Sequence, residues 1–342
     1  MAQLSFKPKQ VTKKILSSLQ ERAFDVVSHR FGLGADATPK TLEAIGQTYG
    51  ITRERVRQIE NTALSTIRKS DAYKNEQKTF DELRDVMKTH GSLVHEKDFL
   101  ETLAKDKNTQ NHLHFYLVLG EYFKKYKEDE AFHHRWTIDS ELANSVHDSL
   151  SALYKKLSDE ELLSETEIVD TFISVMKDIA DEYKTKEIAR RWLSISKKIS
   201  KNPLGEWGKA DSTNVKTRGI RDYAYLVMRK HGSPMHFREV AKAIADTFGK
   251  KTHVATCHNE LIKDKRFVLV GRGVYALGEW GYTAGVVREV IKEILKKNGP
   301  MTKEDIVDAV MKERYLKKNT ILVNLTNPKY FKKNKTGQYT LA

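Results

Sequence analysis

The sequence predicts a mainly α-helical, multidomain protein, in which a helix-turn-helix is followed by several winged-helix-like modules with short β-hairpin wings. Two observations lead to this prediction. Two capped amphipathic helices joined by a short turn lie between Thr41 and Lys69. Beyond residue 80, the end of a helix, a Gly stop and the start of another helix recur at 86–100, 227–241 and 294–310. At 342 residues, the chain is long enough for several such modules.

The N-terminal pair of helices has recognisable start and stop residues. The Thr41 hydroxyl can cap the first helix, and Gly50 stands where that helix must end in a left-handed conformation. After a short turn, Thr52 can cap the second helix. Apolar residues recur at intervals of three and four, which predicts packed sides formed by Leu42, Ile45 and Tyr49 in the first helix and by Val56, Ile59, Ala63 and Ile67 in the second.

The other side of the second helix is polar near its N-terminus, where it carries Arg53, Glu54, Arg57 and Gln58. Arg can bind guanine through two hydrogen bonds, Gln can bind adenine, and a carboxylate can accept from cytosine. A recognition helix brings such side chains to base edges in the major groove. The pattern therefore predicts sequence-specific binding to double-stranded DNA. The alternative is an ordinary solvated, charged helix face.

The segment from about Val11 to Lys69 resembles region 4 of the bacterial sigma-70 family, in the helix ERAFDVVSHRFGLG, the linker ending in Thr41 and the run ITRERVRQIE. The resemblance implies that this region docks on the β flap of the RNA polymerase core. It also implies base contacts, to a promoter element upstream of the transcription start, by Arg53, Glu54 and Gln58. We expect phosphate contacts that position the helix from Thr41, Thr52, Arg55, Arg57, Arg68 and Lys69.

The resemblance covers only the first fifth of the chain. A promoter-opening sigma factor also needs an aromatic-rich region that captures the melted strand, and the residues before Val11 are too few for it. The second half of the predicted recognition helix also departs from the family, which is rich in Lys and Arg there, by carrying Asn61, Thr62, Ser65 and Thr66. We therefore expect a promoter-type reader rather than an initiating factor.

The distribution of charge is uneven along the chain. The formal net charge is +14 and the sequence pI is about 9.4, which favours a polyanionic partner. Lys plus Arg outnumber Asp plus Glu by 14 to 8 in residues 1–78 and by 26 to 13 in 211–342, whereas 79–210 contains 20 basic and 25 acidic residues. Two DNA-facing ends joined by a protein-facing middle would give this pattern. A chance distribution is the alternative.

The basic C-terminal part contains two predicted winged-helix modules, at 217–282 and 283–342. The first resembles the HARE-type helix-turn-helix found in the delta subunit of bacterial RNA polymerase, in chromatin-associated proteins and fused to some restriction endonucleases, through HFREVAKAI and KDKRFVLVGRGVYALGEWGY. Candidate phosphate contacts near the hairpins of the two modules are Arg266, Arg272, Lys332, Lys333 and Lys335. Alternatively, the GRG turn serves only chain reversal and the Lys-rich tip serves solubility.

The middle of the chain is less regular. After an N-terminal domain at 1–75, we expect a winged-helix-like module at 79–140, in which the type of the apolar element LHFYLVL is left open. A helical module is expected at 141–200. The stretch 201–216 contains Pro, Gly and small polar residues, so we expect a connector there.

Composition and motifs argue against catalysis. The single cysteine, Cys257, excludes an intramolecular disulfide and a multi-cysteine zinc site. The Glu206–Lys209 stretch matches restriction-type nuclease motifs only loosely, and no phosphate-binding loop or nucleophile elbow is present. No signal peptide or membrane span is predicted. We expect a cytoplasmic, nucleoid-associated protein of bacterial or phage type, without enzymatic activity, cofactor or metal.

The expected function is that of a sequence-specific DNA-binding transcription regulator that acts in contact with RNA polymerase. Two alternatives remain open at this stage. One is a delta-like polymerase accessory protein whose helix-turn-helix units bind protein. The other is the DNA-targeting component of a restriction or defence system.

Overall fold

The computed structural model describes residues 4–282, 287–314 and 317–342, so the first residues of two predicted modules, at 1–3 and 283–286, lie outside it. Within the described residues the fold is mainly α-helical, with seventeen α-helices and ten short strands in small antiparallel sheets. This confirms the predicted fold class. The chain divides into two compact units. The N-terminal unit comprises 1–200 with 207–210, and the C-terminal unit comprises 201–206 with 211–342.

Five helices open the N-terminal unit, and the third and fourth form the helix-turn-helix. The caps are those that the sequence predicted: Ala44 donates its backbone N–H to the Thr41 hydroxyl over 3.1 Å, and Arg55 donates to Thr52 over 3.2 Å. Gly50 adopts a φ of 63° at the end of the first of the two helices. The helix bounds are α1 Pro8–Leu16, α2 Glu21–Phe31, α3 Leu42–Tyr49, α4 Arg53–Lys69 and α5 Asp71–Asn75.

The close crossing of α3 over the turn requires glycine at position 46. A Cβ atom there would lie 2.6 Å from the carbonyl oxygen of Ile51. Ile51 in turn donates its backbone N–H to the carbonyl oxygen of Gly46 over 3.0 Å. The turn therefore packs against α3 at a distance that no side chain permits.

The next module has the element order of a winged helix. Its three strands pair in the order β1-β3-β2, and the run LHFYLVL, whose type the sequence left open, forms the end of a helix. The bounds are α6 Gln77–Thr89, β1 Leu93–His95, α7 Glu96–Leu103, α8 Lys107–Leu119, β2 Lys124–Tyr126 and β3 Arg135–Thr137.

The helix-turn-helix and this winged helix share one hydrophobic core. A small cluster around Val26, Ile45 and Val56 belongs to the helix-turn-helix alone. The remaining apolar faces of α1, α2 and α4 pack with α8 in a single larger cluster, which includes Ile15, Phe31, Ile67, Phe115, Tyr116 and Leu117. Residues 1–75 are therefore not separate from 79–140. Periodicity identified the buried residues of α1 and α4, but it could not identify their partner.

A third module follows with three helices and a hairpin. The stretch 201–216, expected as a connector, is instead partly built into this hairpin: Trp207 is buried, and it exchanges backbone hydrogen bonds with Leu163. The Gly and Pro residues that suggested a linker form the hairpin turn, where Gly205 has a φ of 83°. The bounds are α9 Ser140–Lys156, α10 Glu165–Val175, a 3₁₀ turn Asp181–Tyr183, α11 Lys186–Leu193, β4 Ile199–Lys201 and β5 Trp207–Lys209.

The C-terminal unit contains two further sets of three helices, each followed by a hairpin. In the first set the strands pair in the order β6-β8-β7, and in the second β9 pairs with β10. The bounds of the first set are α12 Ile220–His231, β6 Met235–His236, α13 Phe237–Phe248, α14 Val254–Lys263, β7 Phe267–Gly271, β8 Val274–Leu277 and a 3₁₀ turn Gly278–Trp280. Those of the second are α15 Val287–Asn298, α16 Lys303–Glu313, α17 Lys318–Leu325, β9 Phe331–Lys333 and β10 Tyr339–Leu341.

No helix among the described residues has the length and apolar character needed to cross a membrane.

Candidate nucleic-acid interface

The N-terminal half of α4 presents a continuous polar face to solvent. Val56 is fully buried and anchors the helix in the core. The side chains around it that point outward, and are all exposed, are Arg53, Glu54, Arg55, Arg57 and Gln58. The predicted base-reading residues thus lie together on the accessible side of the second helix of a helix-turn-helix, which is the geometry that major-groove readout requires.

Two pairs of these side chains bind each other. Arg57 forms two hydrogen bonds with the Glu54 carboxylate, at 2.6 and 2.9 Å, and Arg55 donates to the Gln58 side-chain oxygen over 3.1 Å. The bond from Arg57 lowers the pKa of the Glu54 carboxyl, so this group remains an ionised acceptor at neutral pH. Exposed pairs of this kind are weak and exchange readily with water or a ligand. Base contacts require that both pairs open.

The cap residues also face outward at the start of each helix. Thr41 and Thr52 use their hydroxyl oxygens as acceptors for backbone N–H groups, and both residues are exposed. Their hydroxyl hydrogens remain able to donate to a phosphate oxygen. Arg53, the first residue of α4, has no ion-pair or hydrogen-bond partner within the described residues, so its guanidinium is available to a ligand.

Arg68 does not belong to this interface. Its Nε donates to the carbonyl oxygen of Leu119 over 3.0 Å, and its terminal nitrogen donates to Val118 over 2.8 Å. The expectation that Arg68 contacts phosphate is therefore wrong, because the guanidinium is used to cap the end of α8. Lys69, beside it, is exposed and stays a candidate.

The rotation of α4 is fixed on its inner side by a partly buried pair. Arg30 of α2 lies 3.5 Å from the Glu60 carboxylate. Burial raises the pKa of Glu60, although Arg30 opposes that shift. Together with the core contacts of Val56 and Ile67, this pair determines which side of α4 faces solvent.

A cleft of about 440 Å³ lies between α4 and the turn that joins α1 to α2. Arg55, Gln58 and Thr62 line one wall, and Leu19 and Gln20 line the other. Sequence reasoning missed this second wall, because nothing in the local pattern brings residues 19 and 20 beside α4. A ligand that contacts Gln58 therefore also meets the α1–α2 turn.

Of the C-terminal candidates, Arg266 is committed elsewhere. Its guanidinium pairs with Asp264 at 2.7 Å and with Asp222 at 2.9 Å, and it donates to the Asn214 side chain over 3.2 Å. The expected phosphate contact is therefore wrong: two carboxylates neutralise the charge and hold the side chain inside the protein. Arg272, in contrast, is exposed at the turn between β7 and β8, where Gly273 has a φ of 73°. That turn needs glycine for chain reversal whether or not Arg272 binds phosphate.

The hairpin of the last module carries exposed lysines. Lys332, Lys333 and Lys335 all face solvent. The Lys333 ammonium lies 5.6 Å from the centre of the Tyr339 ring, a loose cation–π contact that leaves its charge exposed. These three residues remain candidates for phosphate contact.

The residues that loosely resembled a nuclease motif are occupied by structural contacts. The Glu206 carboxylate accepts from the Asn202 side chain over 2.9 Å, and Lys209 pairs with Asp159 at 2.6 Å. Within the described residues, no group of three or more His, Cys, Asp or Glu side chains is arranged to hold a metal ion. Burial raises the pKa of the Cys257 thiol to about 11, which makes it unreactive.

Comparison with known proteins bears directly on this interface. Residues 15–69 match the family model of sigma-70, region 4. Residues 220–280 match the HARE-HTH model, described as an ASXL and restriction endonuclease HTH domain. Both resemblances predicted from the sequence are thus confirmed. Both matched families are DNA-binding helix-turn-helix types, and neither is an enzyme family.

One curated relative shows how local the sigma likeness is. RNA polymerase sigma factor SigA of Nostoc sp. is 52% identical to this chain over 56 residues. That stretch is 16% of this chain and 14% of the relative, so the chain covers only a small part of the relative's length. The likeness supports a transcription-related, DNA-binding role for the region 4 segment, which contains all of α3 and α4.

Proposed function

We propose that this protein is a sequence-specific DNA-binding transcription regulator whose α4 reads bases in the major groove. Arg53, Glu54 and Gln58 are the base-reading residues. The observation that carries the proposal is their common exposure at the N-terminal end of the second helix of a region 4 helix-turn-helix. Direct readout needs this combination of a guanidinium, a carboxylate and an amide on one helix face.

Phosphate contacts on either side of α4 would set its register on the duplex. Arg55, Arg57 and Lys69 supply the positive charge, and the hydroxyls of Thr41 and Thr52 supply donors at the helix starts. Opening of the Glu54–Arg57 pair would free both partners at once, the carboxylate for a base and the guanidinium for a phosphate.

We further propose that the regulator acts in contact with RNA polymerase, with the β flap as the docking point of its region 4 segment. This part of the proposal is supported by the match to sigma-70, region 4 and by the relative that is named as an RNA polymerase sigma factor.

Selection from random duplex DNA, with and without core RNA polymerase, tests both parts. A preferred site should emerge, and Arg53→Ala or Gln58→Ala should weaken binding to it by about ten- to a hundred-fold while relaxing base choice. Ser65→Ala, an exposed change further along α4, serves as the matched control. Equal losses on preferred and random DNA would contradict base readout by α4.

A polymerase accessory role is the second candidate, because the C-terminal unit carries a HARE-type domain. In that case core polymerase would retain the protein without any enrichment of a DNA sequence, and the α4 variants would leave retention unchanged.

A further inference from the structure

The helix that precedes the hairpin is treated differently in different modules. In α8 it is buried: Leu113, Phe115 and Tyr116 are fully enclosed by the shared core. In α11 it is surface-exposed, but its cations are neutralised. Lys186 pairs with Asp170 at 2.8 Å, Arg190 with Glu165 at 2.9 Å and Arg191 with Glu187 at 2.6 Å. Neither helix can offer net positive charge and a free face to a duplex.

The corresponding helix of the last module, α17, has the opposite character. Residues 317–342, which include α17 and the β9–β10 hairpin, contain no Asp or Glu. They contain six lysines, all exposed and none in an ion pair within the described residues: Lys317, Lys318, Lys329, Lys332, Lys333 and Lys335. The positive charge of this surface is therefore uncompensated by nearby carboxylates.

The outer face of α17 is uncharged and well exposed beyond its first turn. Ile321 and Leu325 are buried and fix the rotation of the helix. Val323 is then left 71% exposed, the highest value among the large apolar side chains of the described residues. Asn319 and Thr320 are exposed on the preceding turn. An amide, a hydroxyl and a pair of methyl groups can contact base edges and the thymine methyl group.

We propose that α17 and the β9–β10 hairpin form a second site for duplex DNA. The uncharged face of α17 enters the major groove. Lys317 and Lys318 contact phosphates at the helix start, and the hairpin lysines contact the neighbouring backbone. The inference rests on the proposed function in one respect, since it takes DNA to be the polyanionic partner. Cations on two elements that flank an uncharged helix face match the layout of base edges between two phosphate backbones better than they match an acidic protein surface.

Salt dependence of binding by the full chain to random-sequence duplex tests the lysines. The quadruple variant Lys317→Gln, Lys318→Gln, Lys332→Gln and Lys333→Gln should make the slope of log affinity against log salt shallower by about three to four, roughly 0.9 for each lost phosphate contact. The control removes four exposed lysines of the N-terminal unit, by Lys88→Gln, Lys155→Gln, Lys156→Gln and Lys177→Gln. Because the net charge falls equally in both, similar slopes would overturn the proposal.

Val323→Glu tests whether α17 itself approaches the duplex. Glu has a higher helix propensity than Val and the position is exposed, so the fold should persist, which circular dichroism would verify. A carboxylate in the groove should reduce random-duplex affinity by about ten-fold or more. Met311→Glu is the matched control, because Met311 is 49% exposed on α16 of the same module. Equal effects of the two changes would remove α17 from the interface.

The α4 double variant Arg53→Ala/Gln58→Ala separates this site from the proposed function. It should lose preference for the selected sequence while its salt slope on random duplex still responds to the α17 lysines. If the lysine variant instead keeps its DNA slope and loses retention on core polymerase, the surface binds an acidic protein and the second DNA site is wrong.

Discussion

Arg68, near the end of α4, donates through Nε to the carbonyl oxygen of Leu119, at the end of α8, over 3.0 Å. A second bond from the same guanidinium reaches Val118. The cation satisfies carbonyl groups that the end of α8 leaves unpaired, and it lies at the negative end of that helix dipole. The last turn of the base-reading helix is thereby fixed to the winged helix that follows it in sequence.

Arg68→Ala should lower the free energy of unfolding of the N-terminal unit by about 1–3 kcal/mol, because two carbonyl oxygens lose a charged donor. Urea denaturation of the full chain, followed by tryptophan fluorescence, measures the change. Lys69→Ala removes the neighbouring exposed cation and should stay within about 0.5 kcal/mol of the parent. Equal stabilities of the two variants would show that the Arg68 contacts are not retained in solution.

Residues 1–75 expressed alone should not show a cooperative unfolding transition. Without α8, the fragment exposes the faces of α1, α2 and α4 that carry Ile15, Phe31 and Ile67 and keeps only the small cluster around Val26, Ile45 and Val56. The fragment 1–210, which contains the residues of the N-terminal unit, should unfold cooperatively. A sharp thermal transition for the short fragment, near that of 1–210, would refute the shared core.

The N-terminal unit should lose stability as the pH falls from about 6.5 towards 4. Burial lowers the pKa of His112 and of His114 to about 4 in the folded protein. The unfolded chain, with ordinary histidine pKa values near 6.5, therefore binds more protons in this range, and stability is lost as pH decreases. The expected loss is about 2 kcal/mol for each histidine at pH 5.

Denaturant unfolding at pH 7 and pH 5 measures this effect. His112→Gln removes one titrating group and should reduce the difference between the two pH values, even if it lowers stability at both. The variant His112→Gln keeps a polar group near Thr12, with which the His112 ring forms a 2.9 Å hydrogen bond. An unchanged pH difference in this variant would mean that His112 titrates normally.

Arg266→Ala should destabilise the C-terminal unit by about 3 kcal/mol, because it leaves the buried Asp222 carboxylate without its cation. Its salt slope on DNA should match that of the parent protein. Arg272→Ala, at the exposed turn of the same hairpin, should leave the unfolding free energy nearly unchanged. A shallower salt slope for Arg266→Ala in a folded protein would return Arg266 to the set of phosphate contacts.

The sequence by itself determined the local features of the reading helix. The Thr41 and Thr52 caps, the left-handed Gly50 and the exposure of Arg53, Glu54 and Gln58 depend on residues three or four positions apart. Such short-range hydrogen bonds and helical periodicity are readable without knowledge of the rest of the chain. The same holds for the strand and turn residues of the last two hairpins.

Only the tertiary structure decided what the remaining polar and apolar groups contact. Arg68 caps a helix 51 positions away, and Arg266 pairs with Asp222 across 44 positions. A guanidinium that is free for phosphate and one that is held by carbonyls or carboxylates look alike in sequence, because the difference lies in partners brought near by packing. For the same reason, the apolar run of α8 could be recognised as buried, but not as the surface that completes the core of the helix-turn-helix.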